Sequence, residues 1–304
     1  MQKYADHHSS SYDVEHCGWS NLPEDDWIWH DDFEWGIGEF VWTGFDYLGE
    51  PTPYYTDWPS HSSLFGIVDL AGLPKDRYYL YRSHWNSEAE TLHILPHWNW
   101  EGREGEVAPI FVYTNYPSAE LFINGVSQGV QTKDLSVTAE NTIDLQETPT
   151  SFTRQRRYRL MWMNTLYEPG EVKVVAYDLQ GNPVAERTMV TAGKPHHIEL
   201  VADRETIKAD GRDLAFVTVR VVDKDGNLCP NASHKISYKV GGEGFYRAGA
   251  NGSSVSTELF HVPEMEVFSG MMTAIVQSTD TAGAITLTAT AKGLKPAKIV
   301  VKTE

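Results

Sequence analysis

Hydrophobic residues follow two rhythms along the chain, and the change near residue 90 divides it. Upstream, Pro23 opens a predicted helix with Glu24, Asp25 and Asp26 in its first turn, where negative charge favours the helix dipole. Trp27, Ile28, Phe33 and Trp35 give that helix a loose apolar face running to Gly36. Phe40 to Phe45 is a short apolar run without strict alternation, which predicts a strand buried on both faces, as in a parallel sheet or barrel. Asp46, Tyr47 and Glu50 follow where the chain leaves that strand, and the Pro-, Tyr-, Ser- and Thr-rich stretch 51–63 predicts a loop. Leu73 to Trp85 predicts a second helix, with Pro74 in its first turn and Tyr78, Leu80, Tyr81 and Trp85 on its aromatic side. A helix leading directly into a strand is a step of an α/β barrel.

Beyond residue 90 the period becomes two and stays there. Thr91 to Leu95, Ala108 to Thr114, Ala119 to Asn124, Tyr158 to Met163 and Glu171 to Asp178 predict strands. Asn124-Gly125 predicts a hairpin turn, because both residues take positive φ at little cost, and Leu179 to Asn182 predicts another turn. Tyr158, Leu160 and Trp162 are expected to face a core while Arg157, Arg159 and Met161 face solvent. This reads as a β-sandwich of roughly a hundred residues, closed by Gly193-Lys194-Pro195. A second set follows at Ile198 to Ala202, Ala215 to Asp223, Lys235 to Val240, Thr273 to Gln277, Ile285 to Ala289 and Ala297 to Lys302. Between these, Asp223 to Asn227 reads as a hairpin turn, since its glycine comes too early for a calcium loop and no glutamate closes it. Gly241 to Ser254 reads as a long glycine-rich loop that can reach a neighbouring surface.

Charge and composition narrow the chemistry. Of the net −17 carried by 304 residues, −11 falls in the first fifty, where twelve Asp or Glu meet one Lys. An acidic surface repels phosphate backbones, so neither nucleic acid nor an anionic membrane is an expected partner. No run of about 18 apolar residues predicts a transmembrane helix. The N-terminus is polar and lacks a signal-peptide core, so the protein is either cytoplasmic or exported by a signal outside this chain. Nine of the ten tryptophans lie in the first hundred residues. Indoles among carboxylates suit sugars, whose apolar ring faces stack while hydroxyls bond to the carboxylates; plain core packing is the competing reading, expected for most of them. Cys17 and Cys229 read as free thiols, and the His7-His8 pair as a solvated loop.

The stretch Gly38-Glu39-Phe40-Val41-Trp42-Thr43-Gly44-Phe45-Asp46-Tyr47, with Gly66-Ile67-Val68-Asp69 and Pro74-Lys75-Asp76-Arg77-Tyr78-Tyr79 after it, resembles glycoside hydrolase family 2, the β-galactosidase and β-glucuronidase family. In that family a Gly-Glu-x-x-Trp-x-x-x-Asp-aromatic run forms the last barrel strand. More weakly, Ala209-Asp210-Gly211 with Leu214 to Val222 is similar to the start of the family's last sandwich. The resemblance implies a mainly β chain with a small α/β part: a C-terminal fragment of a (β/α)8 barrel over 1–89, a first β-sandwich over 90–194 and a second, immunoglobulin-like sandwich over 195–304.

It also implies that Trp42 lines a sugar site, with Asp46 and Tyr47 as further substrate-binding residues; the residue types alone also allow Trp42 to be a core tryptophan. Retaining glycosidases use two carboxyl groups about 5–5.5 Å apart, which the family places as glutamates on earlier barrel strands. Glu15, Glu24 and Glu34 fall in loop or helix, and Glu39 belongs to the motif but not to that pair. The expectation is therefore no catalytic residue, metal or cofactor in this chain, and no hydrolysis by it alone. A β-linked sugar would be the substrate of the full-length parent, and exposed barrel edges would offer a surface for a second copy. Two other classes stay open: a carbohydrate-binding or adhesive sandwich pair, and a hydrolase using Asp46 with Glu39 or Glu50.

Overall fold

The structure is a computed structural model that describes residues 2–10, 12–143 and 152–304. The chain forms two compact units. The first comprises Met1–Gly44, Thr52–Tyr54 and Pro74–Thr191, and the second Phe45–Pro51, Tyr55–Leu73 and Ala192–Glu304.

The first unit contains helices α1 (Pro23–Asp32) and α2 (Asp76–Trp85), strands β1 (Leu92–Leu95), β2 (Ile110–Thr114), β3 (Ser118–Ile123) and β4 (Val126–Thr132), single helical turns α3 (Ala139–Thr142) and α4 (Gln155–Tyr158), and strands β5 (Leu160–Trp162), β6 (Glu171–Tyr177) and β7 (Pro183–Val190). One sheet runs β1-β2-β5 and the other β4-β3-β6-β7, antiparallel throughout. Alternate residues of β3 and β6 turn inward, so Leu121, Ile123, Val172 and Val174 meet Ile110, Val112, Leu160 and Trp162 in one core. The Asn124-Gly125 turn joins β3 to β4 with φ of 49° and 79°, as that dipeptide requires. All five residues of β2 are buried, and α2 packs against that strand.

Around α1 the apolar pattern misleads. The helix stops at Asp32, and Trp35 is 69% exposed instead of continuing an apolar face. α1 buries Pro23, Glu24, Trp27 and Ile28, with Trp27 edge-on to Tyr81 at 5.1 Å and to Tyr158 at 5.4 Å. Its acidic residues meet arginines: Asp25 pairs with Arg154 at 3.0 Å and Asp32 with Arg157 at 2.8 Å. The expected outward row of Arg157, Arg159 and Met161 is thereby corrected, since Arg159 and Met161 are buried. Arg159 tolerates burial because Glu24 accepts from its Nε at 2.5 Å and the Tyr113 hydroxyl from its Nη1 at 3.1 Å.

The second unit holds β8 (His197–Ala202), β9 (Thr206–Ile207), β10 (Leu214–Val222), β11 (Lys235–Gly242), β12 (Gly244–Ala250), β13 (Glu264–Glu266), β14 (Met271–Ser278), β15 (Gly283–Thr290) and β16 (Ala297–Thr303). Sheet β12-β14-β10-β8 and sheet β13-β11-β15-β16-β9 enclose Val217, Val219, Val276, Ile236, Leu287 and Val301. Only the β16–β9 pair among these is parallel. The loop expected over 241–254 is in part a strand, because β12 pairs with β14 through a bulge between Tyr246 and Ala248. The part that remains a loop does reach a neighbouring surface: the His61 amide donates to the Ser254 carbonyl at 3.2 Å. Asp223 to Asn227 forms a tight turn tied by the Asp223 carboxylate, which accepts from the amides of Asp225 and Asn227.

Phe40 to Phe45 is not a strand. Among the described residues its single ladder contact is the isolated parallel bridge between Phe45 and Val68. A barrel strand needs hydrogen-bonded neighbours along both edges, and an apolar run without them lies open: Phe40 is fully exposed and Phe45 is 62% exposed.

Candidate functional site

The three sequence-predicted sugar-site residues fall on both units. Trp42 belongs to the first and Asp46 and Tyr47 to the second. Trp42 is 73% exposed and is not a core residue. Four residues earlier, Gly38 has φ +117°, outside the range L side chains favour. Its neighbour Glu39 accepts from the Trp27 indole N–H at 2.9 Å. Burial pushes the Glu39 carboxyl above its ordinary value, and the Trp27 bond opposes the shift.

Asp46 is buried, and its Oδ1 accepts from the Gly66 amide at 2.8 Å while its own amide donates to the Val68 carbonyl at 2.9 Å. The two segments approach so closely that a Cβ on Gly66 would stand 2.1 Å from the Asp46 nitrogen. That contact explains the glycine in Gly66-Ile67-Val68-Asp69. The Tyr47 carbonyl accepts from the Ser63 amide at 2.8 Å and from the Ser62 hydroxyl at 3.1 Å. Its phenol donates to Glu50. Asp69 then accepts from the amides of Ala71 and Leu73, both at 2.8 Å, turning the chain toward α2. Asp46 and Tyr47 are thus built into a braced segment.

The same segment borders a feature that sequence reasoning missed. Leu48, Trp58 and His61 line a cavity of about 590 Å³ together with Arg247, Glu258 and Phe260. The signal present in the sequence was Trp58, a tryptophan in a loop too polar to have a core of its own. The rest of its lining lies nearly two hundred residues away in sequence, which no local pattern reveals. Five of the ten tryptophans, Trp19, Trp35, Trp42, Trp58 and Trp85, are more than half exposed. Core packing therefore accounts for fewer of them than expected.

Comparison with known proteins bears on what this arrangement serves. Residues 198–300 match the model for glycoside hydrolase family 2 C-terminal domain 5, and residues 105–185 match a domain of unknown function (DUF4982). The beta-galactosidase BoGH2A of Bacteroides ovatus is 42% identical over 296 residues, which is 97% of this chain and 32% of that protein. A putative beta-glucuronidase of Formosa agariphila is 32% identical over 213 residues, 70% of this chain and 19% of that one. Among solved structures, a beta-glycosidase from Bacteroides vulgatus superposes with a TM-score of 0.81 at 30% identity, covering 97% of this chain and 34% of that one. A family 2 glycosyl hydrolase from Bacteroides cellulosilyticus gives 0.79 at 28% identity, covering 94% and 38%. The chain spans about a third or less of the length of these curated relatives. Motif, domain match and near-complete alignment agree, and the chain belongs to glycoside hydrolase family 2.

Proposed function

We propose that this chain is the C-terminal portion of a β-galactosidase-like glycosidase that hydrolyses O-glycosidic bonds of β-linked sugars. In this reading residues 1–89 complete a (β/α)8 barrel whose earlier strands carry both catalytic glutamates, and 90–194 and 195–304 are the two sandwiches that follow it. Trp42 contributes an indole face to the sugar, Tyr47 is a further substrate-binding residue, and Asp46 holds its own segment in place through the Gly66 amide.

The observation that carries the proposal is the exposed apolar run from Trp35 to Phe45. Trp35, Ile37, Phe40, Trp42 and Phe45 are all more than 60% exposed. Soluble proteins do not leave such a contiguous set open without a use for it. Strand-like residues without strand partners, in a motif that the family uses as a barrel strand, fit a surface that upstream barrel strands cover. Alone, with that surface bare, the chain is expected to pair with a second copy of itself.

The test is an exchange. Residues 1–304 alone, incubated with an aryl β-galactoside, are expected to give no turnover. Substituted for the aligned third of the Bacteroides ovatus β-galactosidase, they are expected to restore hydrolysis, and Trp42→Ala in that chimera to lower kcat/KM at least about tenfold, 1.4 kcal/mol. Turnover by the isolated chain that is lost on Glu15→Gln or Asp46→Asn would overturn the proposal. So would an active chimera indifferent to Trp42.

A further inference from the structure

The cavity beside Trp58 has the make-up of a ligand site, and we propose that it is a second saccharide subsite, taking one neutral pyranose unit of a β-linked oligosaccharide. The inference rests on the sugar-processing reading above but uses none of the residues assigned there. At about 590 Å³ the cavity lies within the range of small-molecule sites, about 300–1,000 Å³. All of its walls belong to the second unit.

Part of the lining is apolar. Trp58 is 76% exposed, with the His61 ring 6.3 Å away and tilted by 35°, and Leu48 and Phe260 extend the apolar surface. The rest of the lining includes polar groups of both signs. Arg247 has no ion-pair partner among the described residues. Glu258 is fixed in place, its carboxylate accepting from the Glu266 amide at 2.9 Å and meeting Lys235 Nζ at 3.4 Å.

The backbone around the cavity is set before any ligand arrives. His61 Nδ1 sits 2.7 Å from the Pro59 carbonyl, which can only accept, so that nitrogen carries the proton and Nε2 is the acceptor of the neutral ring. The Gly49 amide donates to the His61 carbonyl at 2.7 Å, and the Gly249 amide to the Phe260 carbonyl at 2.8 Å. Preorganisation of this kind lowers the ordering cost of binding.

Charge selects among ligands. An anion would face Glu258 and a cation would face Arg247, while a wholly apolar ligand would answer neither group. A sugar hydroxyl accepts from the guanidinium, which only donates, and donates to the carboxylate, which only accepts. The apolar C–H face of the same ring covers the indole. A neutral pyranose therefore satisfies the apolar and the polar lining at once.

Trp58 is the one tryptophan of the second unit, the other nine lying in the first, which makes it a separable probe. The full chain labelled with 5-fluorotryptophan would be titrated by fluorine NMR with cellotetraose, β-1,4-galactotetraose and a tetrasaccharide ending in glucuronic acid. The Trp58 and Trp42 resonances would be assigned from the Trp58→Phe and Trp42→Phe variants. The expected result is a saturable shift of the Trp58 signal with a neutral tetrasaccharide while the Trp42 signal stays still. Arg247→Gln should weaken that response at least tenfold, and calorimetry should show the same loss for Trp58→Ala, whose exposed site makes unfolding no explanation once the melting profile matches.

No shift at Trp58 with any of the three sugars overturns the inference, as does an undiminished response in Arg247→Gln or tighter binding of the glucuronate. A shift at Trp42 alone removes the subsite and leaves the glycosidase reading standing. An inert chimera with a responsive Trp58 does the reverse.

Discussion

Arg159 should be the most consequential single residue for the stability of the first unit. Its side chain and that of Glu24 are both fully buried. Its guanidinium also donates to the Tyr113 hydroxyl at 3.1 Å and to the Asp13 carbonyl at 3.2 Å. Arg159→Met removes the cation and leaves the Glu24 carboxyl in a medium that already pushes its pKa up by burial, now without the Arg159 charge that opposes this. Removing one partner of a buried ion pair costs about 3–5 kcal/mol. That is a large part of the 5–15 kcal/mol by which a typical domain is stable.

Replacing both partners, as Glu24→Leu with Arg159→Met, relieves the stranded charge. It still leaves the Tyr113 hydroxyl without its donor, at about 1–3 kcal/mol. The expected order of stability is wild type, then double variant, then Arg159→Met. Urea unfolding followed by tryptophan fluorescence reads this unit selectively, because nine of the ten tryptophans lie in it. An Arg159→Met loss below about 1 kcal/mol, or a double variant no more stable than the single one, would contradict this order.

Gly66→Ala would drive a Cβ to within 2.5 Å of three backbone atoms, among them the Asp46 nitrogen. Backbone cannot yield as a side chain can, so the Phe45–Val68 bridge should open at a cost of about 1–3 kcal/mol or more; unchanged hydrogen-exchange protection of the Asp46 amide would contradict this. Burial alone would raise the Asp223 carboxyl, but the Gly193 amide together with the side chain and amide of Asn227 outweighs it and holds the pKa at about 2, below its ordinary 3.8. A depressed carboxyl stabilises the fold fully above its ordinary value, and that contribution is lost as pH falls toward about 2. Asp223→Ala should therefore flatten the acid limb of the second unit's unfolding, measured by circular dichroism between those two values. Phe40→Ser with Trp35→Ser, both at exposed positions, should reduce self-association of the isolated chain in sedimentation without lowering its melting temperature; unchanged association would show that this run is not the contact.

Most strands of the two units were legible because a half-buried strand writes its burial into the sequence every second residue. The predicted strands at 119–124, 171–178 and 215–223 lie within a residue or two of β3, β6 and β10. β4 and β7 were less visible, since edge strands with mostly exposed residues carry little alternation. The family motif at 38–47 could be read from residue types and spacing alone, and so could the turns at Asn124-Gly125 and Asp223 to Asn227.

Tertiary structure decided the rest. Arg159 sits in a strand-like alternation that assigns it to solvent, yet it is buried because Glu24, 135 positions away, offers a charge to meet it. Phe40 to Phe45 has the composition of a buried strand, yet it stays open because pairing depends on neighbours that a local pattern cannot supply. The lining that brings Arg247 and Glu258 together with Trp58 exists only once the chain has folded. Local sequence specifies what each residue can do with the residues beside it, whereas burial of charge, strand pairing and cavities depend on what distant segments bring.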